Sequence, residues 1–193
     1  MVLVLLTSTF VQAQTGGASS LPQDPAQVAA SPGALKNTAE VVQAIDTATQ
    51  ELMVASDLLR SKEVANALRR AVVDRSVTLF MVVPPENVAD PASYFVSLAF
   101  ADAAVRLVSF KGSFIVIDRS VLVEGPFIAG VKQLPGAQVA PTRLSQDAAE
   151  VSSFVTSFYE SFSAAEPYST EAFLEALDLE SDLEAPSERE EQP

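Results

Sequence analysis

Short runs of apolar, often β-branched residues recur along this chain, and most are separated by stretches with helical spacing. The runs are Leu52-Met53-Val54-Ala55, Val77 to Val83 (stopped by Pro84-Pro85), Val105 to Phe110, Phe114 to Ile117 and Val121 to Val123. Strands that are apolar throughout, rather than at alternate positions, belong in a sheet covered on both faces. The covering elements are equally visible. Asn37-Thr38 supplies an N-cap, with Glu40 in the first turn and Val41, Val42, Ala44, Ile45 and Ala48 at helical spacing. Ser61 caps a second helix carrying Val64, Ala65, Leu68, Val72 and Val73. Pro91 opens a third, to about Asp102, and Asp147 starts a long helix with Val151, Phe154, Val155, Phe158 and Phe162 on one face. Residues 131–145 carry a weaker signal, with one short strand expected around Val139. These elements predict one α/β domain: a mixed, mainly parallel sheet with helices on both faces.

The 193 residues suffice for such a domain plus tails, and 48% hydrophobic content with 11 phenylalanines fills its core. Residues 14–36, rich in Gln, Ser, Ala, Pro and Gly, form a flexible leader; the domain spans 37–166, and an acidic tail runs from 167 to 193. From Glu171 onward nine acidic residues stand against one arginine, a net of −8, which leaves −5 of the total −13 for everything before. Within the tail, Phe173, Leu174 and Leu177 form one amphipathic stretch; solubility is its expected role, and a docking helix the alternative.

The absence of two residue types bounds the chemistry. Without cysteine there is no disulfide, thiolate nucleophile or Cys-ligated metal. Without histidine there is no imidazole base, nucleophile or ligand. No metal and no cofactor is therefore expected. The overall acidity argues against nucleic acid and anionic membranes as partners. Arg69, Arg70 and Arg75 come nearest to a basic cluster and are expected to form a solvated helix face.

The first 13 residues have the pattern of a signal peptide: an apolar run, Val2 to Leu6, then Val11-Gln12-Ala13 as a small-residue cleavage site before polar Gln14. No Lys or Arg precedes the run, so the α-amino group supplies the positive charge or translation starts upstream. The run is shorter than the ~20 residues of a membrane anchor. The expectation is a periplasmic or secreted protein.

The order of these elements resembles a known family. "AIDTATQ" leads into "ELMVAS", then "SKEVANALRRAVVDRS", "VTLFMVV", a helix, "VRLVSF", the strand pair "FIVIDRSVLVEGP" and a Phe-rich helix. This is the layout of phospholipase D-like domains, and especially of their small bacterial single-domain endonucleases. The resemblance covers about Thr38 to Ser163. It implies export, and pairing as a homodimer with two motifs facing across a two-fold axis.

The resemblance also implies a site. The family motif is His-x-Lys, four residues, Asp, and later Gly-Ser. Anchored on Asp118, its lysine falls on Ser113, its histidine on Lys111 and its Gly-Ser on Gly125-Pro126. In such enzymes one histidine attacks phosphorus, the partner's protonates the leaving oxygen, and lysines neutralise the transition state. Lys111 would need its pKa of roughly 10.4 lowered by several units to attack. Ser113 brings no charge, and Pro126 has neither hydroxyl nor N–H to offer.

No catalytic residue is thus expected. Asp118 is read as a turn residue accepting from the N–H groups of Arg119 and Ser120. Lys111, Gly112 and Ser113 either make an ordinary tight turn or persist as a relic anion site. Asp57 and Glu124 are read as surface or turn residues. Two functions are compatible with these residues: an exported, catalytically silent binding or scaffold domain with an unknown protein partner, or a phosphodiesterase of altered mechanism using Lys111 and Asp118.

Overall fold

In the computed structural model, which describes residues 32–88, 90–109, 112–130 and 141–175, three expected helix starts are built by the side chains that signalled them. Asn37 accepts a hydrogen bond from the Glu40 amide (3.1 Å) to open α1, Thr38–Asp46. Ser61 does the same for Val64 (3.2 Å) at α2, Lys62–Arg75. Asp147 accepts from Glu150 (2.8 Å) at the long helix α5, Ala148–Ala164. Each satisfies an amide that the first helical turn leaves without a carbonyl, worth about 1 kcal/mol.

The strands are β1 (Gly33–Ala34), β2 (Glu51–Ser56), β3 (Thr78–Val83), β4 (Ala104–Leu107), β5 (Ser113–Ile117), β6 (Val121–Glu124), β7 (Arg143–Ser145) and β8 (Glu166–Pro167). They form one sheet in the order β1-β7-β6-β5-β2-β3-β4-β8. The short helices α3 (Phe95–Ala99) and α4 (Pro126–Ala129), a 3-10 turn at Pro85–Asn87 and a helical stretch at residues 170–175 are also described.

The fully apolar runs have the predicted cause. Along β2, Leu52 and Val54 join a core built with α1, α2, α3 and α4, while Met53 and Ala55 join a second core under α5. β5 divides in the same way, Ile115 and Ile117 to one face, Phe114 and Val116 to the other. Strict alternation with both faces covered needs an apolar residue at every position. On the α5 side the packing is aromatic: Phe114 meets Phe154 edge-on at 4.9 Å between centroids, and Phe158 stacks on Phe162 at 5.7 Å.

The sheet is mixed, as expected, but parallel pairing is confined to β2 with β3 and β3 with β4. Every other junction is antiparallel. β2, β3 and β4 are joined to one another through α2 and α3, which return the chain to the same end of the sheet. β5 and β6 form a tight hairpin, and the strands β1, β7 and β8 near the two edges are too short for any periodicity to show. β7 was not foreseen, and Val139 lies outside the described residues.

The third helix is shorter than expected. Asp90 accepts from the Ala92 amide (3.0 Å), making Pro91-Ala92 a turn, and the Tyr94 amide is taken by the Leu59 carbonyl (2.8 Å). β4 also stops at Leu107, short of the expected Phe110, which lies outside the described residues.

At both ends the sheet reaches past residues 37–166. Gly33-Ala34 pair with β7, and β8 leads to Tyr168, which packs edge-on against Phe95 at 5.3 Å. The first 13 residues, the leader as far as residue 31 and the tail from 176 lie outside the described residues. No described helix is long and apolar enough to cross a membrane.

Candidate functional site

Two of the expected motif positions, Ser113 and Gly125, fall at one end of the sheet, where β2 ends, β5 begins and β6 ends. Ser56 and Ser113 are register partners, and their hydroxyls lie 2.9 Å apart. Ser56 is fully buried and also donates to the Leu58 carbonyl. Ser113, only 8% exposed, donates to Asp57 Oδ1 at 3.2 Å. Asp57 is tied down by its own backbone: its amide donates to Gly112 (3.0 Å), and buried Asn87 donates from Nδ2 to its carbonyl (2.8 Å). Residue 113 therefore carries a small hydroxyl enclosed in an internal network. Lys111 lies outside the described residues.

Gly125 belongs to the same end of the sheet, its amide donating to the Ser113 carbonyl at 2.9 Å. Its φ of 136° is open to glycine, and a Cβ there would stand 2.5 Å from Thr142 Cα. Thr142 is fully buried, and its hydroxyl accepts from the Phe127 amide (3.1 Å) at the start of α4. Pro126 takes the first position of that helix, where a missing N–H leaves nothing unbonded.

On the α5 face of this strand end lies a groove of about 340 Å³, lined by Gly112, Ser113, Phe114, Glu124, Ser153, Phe154 and Ser157. Its lining residue Glu124 binds Arg143 (2.7 Å), which Glu150 (2.6 Å) also holds. The bonds to Glu150 and then Glu124 raise the guanidinium's pKa, while Arg143 and then Ser145 hold the Glu150 carboxyl below its ordinary value. Two carboxylates for one guanidinium leave a negative edge, the opposite of what a phosphate requires. Asp57 and Glu124, expected as surface or turn residues, are both partly exposed and do not converge. Asp57 meets Ser113 on the α1–α2 face, whereas Glu124 is opposite Phe114 on the α5 face.

Asp118 lies at the other end of β5 from Ser113, about 16 Å away at strand rise. Its Oδ2 accepts from the Thr49 amide (2.9 Å) and hydroxyl (2.8 Å), and its Oδ1 from the amides of Gln50 (2.9 Å) and Glu51 (3.0 Å). Partial burial pushes its pKa up, but the bonds from Glu51, Gln50 and Thr49 outweigh it and hold the carboxyl below the usual range. Asp118 and Arg119 both have positive φ (46° and 52°), and Ser120 N–H closes the turn onto Ile117 at 3.0 Å. Asp118 thus takes its hydrogen bonds from the loop before β2, not from Arg119 and Ser120 of its own turn as expected.

No family model matches the sequence, and no characterised protein matches it by sequence. Solved structures do resemble it. The phospholipase D family member Nuc from Salmonella typhimurium superposes with a TM-score of 0.56 at 17% identity, over 67% of this chain and 89% of Nuc. NucT from Helicobacter pylori gives 0.53 at 12%, over 67% and 89%. This chain has the phospholipase D-like fold. The archaeal chromatin protein TrmBL2, whose structure shows a mode of DNA binding, gives 0.55 at 16%, over 74% of this chain and 56% of TrmBL2.

Within that phospholipase D-like fold the structure brings Ser113 and Gly125 together and sets Asp118 apart. Three contributors escaped the sequence reading: Ser56, Thr142 and Arg143. Ser56 alone had left a trace, as a polar residue ending an otherwise apolar buried strand.

Proposed function

We propose that this phospholipase D-like domain is catalytically silent and works by binding a partner. The observation that carries this reading is the closed state of residue 113, where the family resemblance places a lysine: a buried hydroxyl held by Ser56 and Asp57. Phosphodiester cleavage needs a nucleophile, a proton donor for the leaving oxygen and charge stabilisation. The 193 residues contain no histidine for the first two, and Ser113 offers no positive charge for the third. The alternative, a mechanism through Lys111 and Asp118, is weakened because Asp118 is committed at the opposite end of β5. TrmBL2 binds DNA, but a net charge of −13 and the carboxylates beside the groove favour a protein partner here.

The test is hydrolysis of an activated aryl phosphodiester by purified protein with chelator present. The expected rate is at least about 10³-fold below that of a histidine-bearing phospholipase D-type enzyme. Turnover that disappears in Lys111→Ala would reveal an altered enzyme in place of a silent domain.

Export and pairing belong to the same proposal, the first supported by residues 1–13 and the second by the family resemblance. Protein recovered from the periplasm or medium should have the mass of a chain beginning at Gln14, and should scatter light as a dimer of that chain. A cytoplasmic product retaining residues 1–13 removes the first expectation; a monomer at micromolar concentration removes the second.

A further inference from the structure

Among the described residues three large apolar side chains are exposed: Val73 (58%), Phe100 (51%) and Leu174 (48%). The first two lie together in a depression of about 480 Å³ between α2 and α3, bordered by Arg69, Val72 and Ser97. Arg69 also borders the adjoining shelf on α2, with Asn66 and Arg70. Residues 66, 69, 70 and 73 form one stripe, spaced by three and four along the helix. Arg70 is engaged by Asp46 at 3.1 Å, whereas Arg69 makes no ion pair among the described residues. Asp74, one turn further along, and Asp102, beyond α3, border the same depressions, so attraction for an acidic segment is concentrated at Arg69.

The third exposed residue shows where an occupant would come from. Tyr168 packs on Phe95 of α3, and Phe173 lies 6.2 Å from Tyr168, so the described chain runs out beside one wall of this groove. The next stretch of sequence alternates apolar and acidic residues: Leu177, Leu179 and Leu183 among Asp178, Glu180, Asp182 and Glu184. From residue 175 to Pro193 an extended chain reaches on the order of 60 Å, far more than is needed.

We propose that this acidic C-terminal segment folds back on its own domain. Its leucines cover Val73 and Phe100, and its carboxylates face Arg69. The groove supplies apolar area and a cation with no ion pair among the described residues, the segment supplies leucines and carboxylates, and the tether makes the encounter intramolecular.

The chain has no cysteine, so introduced pairs report cleanly. In the full chain, Ser97→Cys with Ser181→Cys places thiols in the groove wall and the segment without touching the leucines. Ser152→Cys with Ser181→Cys, exposed on α5 across the sheet, is the control. Under mild oxidation at high dilution the groove pair should close within one molecule about ten-fold faster than the control, because docking raises the effective concentration above that of the tether alone. Adding Phe100→Ser, a change at an exposed position, should bring the groove pair down to the control rate. Equal rates for both pairs without that change overturn the proposal. So does a groove pair that links only between molecules, in proportion to concentration, since a second copy would then be the occupant.

Discussion

Gly125→Ala should destabilise this domain by about 3–5 kcal/mol, the sum of a backbone conformation that only glycine adopts easily and an overpacked contact. The new Cβ would stand 2.5 Å from Thr142 Cα and 2.7 Å from Thr142 Oγ1, inside any tolerable contact. Because the nearest atom is backbone, trimming the side chain cannot make room. Thr142→Ala in the Gly125→Ala background should recover little, and alone it should cost about 1 kcal/mol by leaving the Phe127 amide without its acceptor. Urea unfolding of the two single variants and the double variant measures all three. A Gly125→Ala penalty below about 1 kcal/mol would mean that the α4 entry yields easily. The result bears on function because Gly125 stands where the family resemblance places a motif glycine. A large packing penalty accounts for that glycine without any catalytic duty.

Asp118→Ala should remove about 2–3 kcal/mol, since one carboxylate serves three backbone amides and a hydroxyl and alanine disfavours the positive φ. Asp118→Asn tolerates the same φ but turns an NH₂ toward part of this donor set, so a loss of about 2 kcal/mol is expected. The pH dependence separates charge from shape. The folded carboxyl is held below its unfolded value, so its contribution is complete above the ordinary aspartate range. It is lost as pH falls through the folded value, that is, below about pH 4. The stability gap between the natural chain and Asp118→Asn should therefore be constant near neutrality and narrow under acid. A gap that stays level down to pH 3 would show that the carboxylate's charge is not what the loop before β2 needs. Neither variant should alter what binds near Ser113, because the two ends of β5 are separated by the strand itself.

Much of the architecture was open to reading along the chain, because its causes are local. Uninterrupted apolar runs demand cover on both faces, and β2, β3 and β5 divide their side chains between two cores accordingly. Asn37, Ser61 and Asp147 begin helices because a side-chain oxygen within three residues of a free amide finds it whatever the rest of the fold does. The missing histidine, too, is a property of composition.

Other features depend on partners that are distant in sequence. Asp118 takes its hydrogen bonds from residues 67 to 69 positions away, so sequence proximity pointed instead to its own turn. Gly125 is required by Thr142, and nothing near either residue announces the contact. β1, β7 and β8 are two or three residues long, too short for a period, and they and the β5–β6 hairpin make the sheet predominantly antiparallel. Arg143 illustrates the same point at the groove. By itself it is one more cation in an acidic chain, but strand register and the first turn of α5 set it between two carboxylates, and its charge is spent before any ligand arrives. The layers, the helix starts and the missing imidazole are thus fixed by residue type and local spacing alone. The roles of Ser113, Asp118 and Gly125 emerge only on folding, because each is set by atoms that the fold brings beside it.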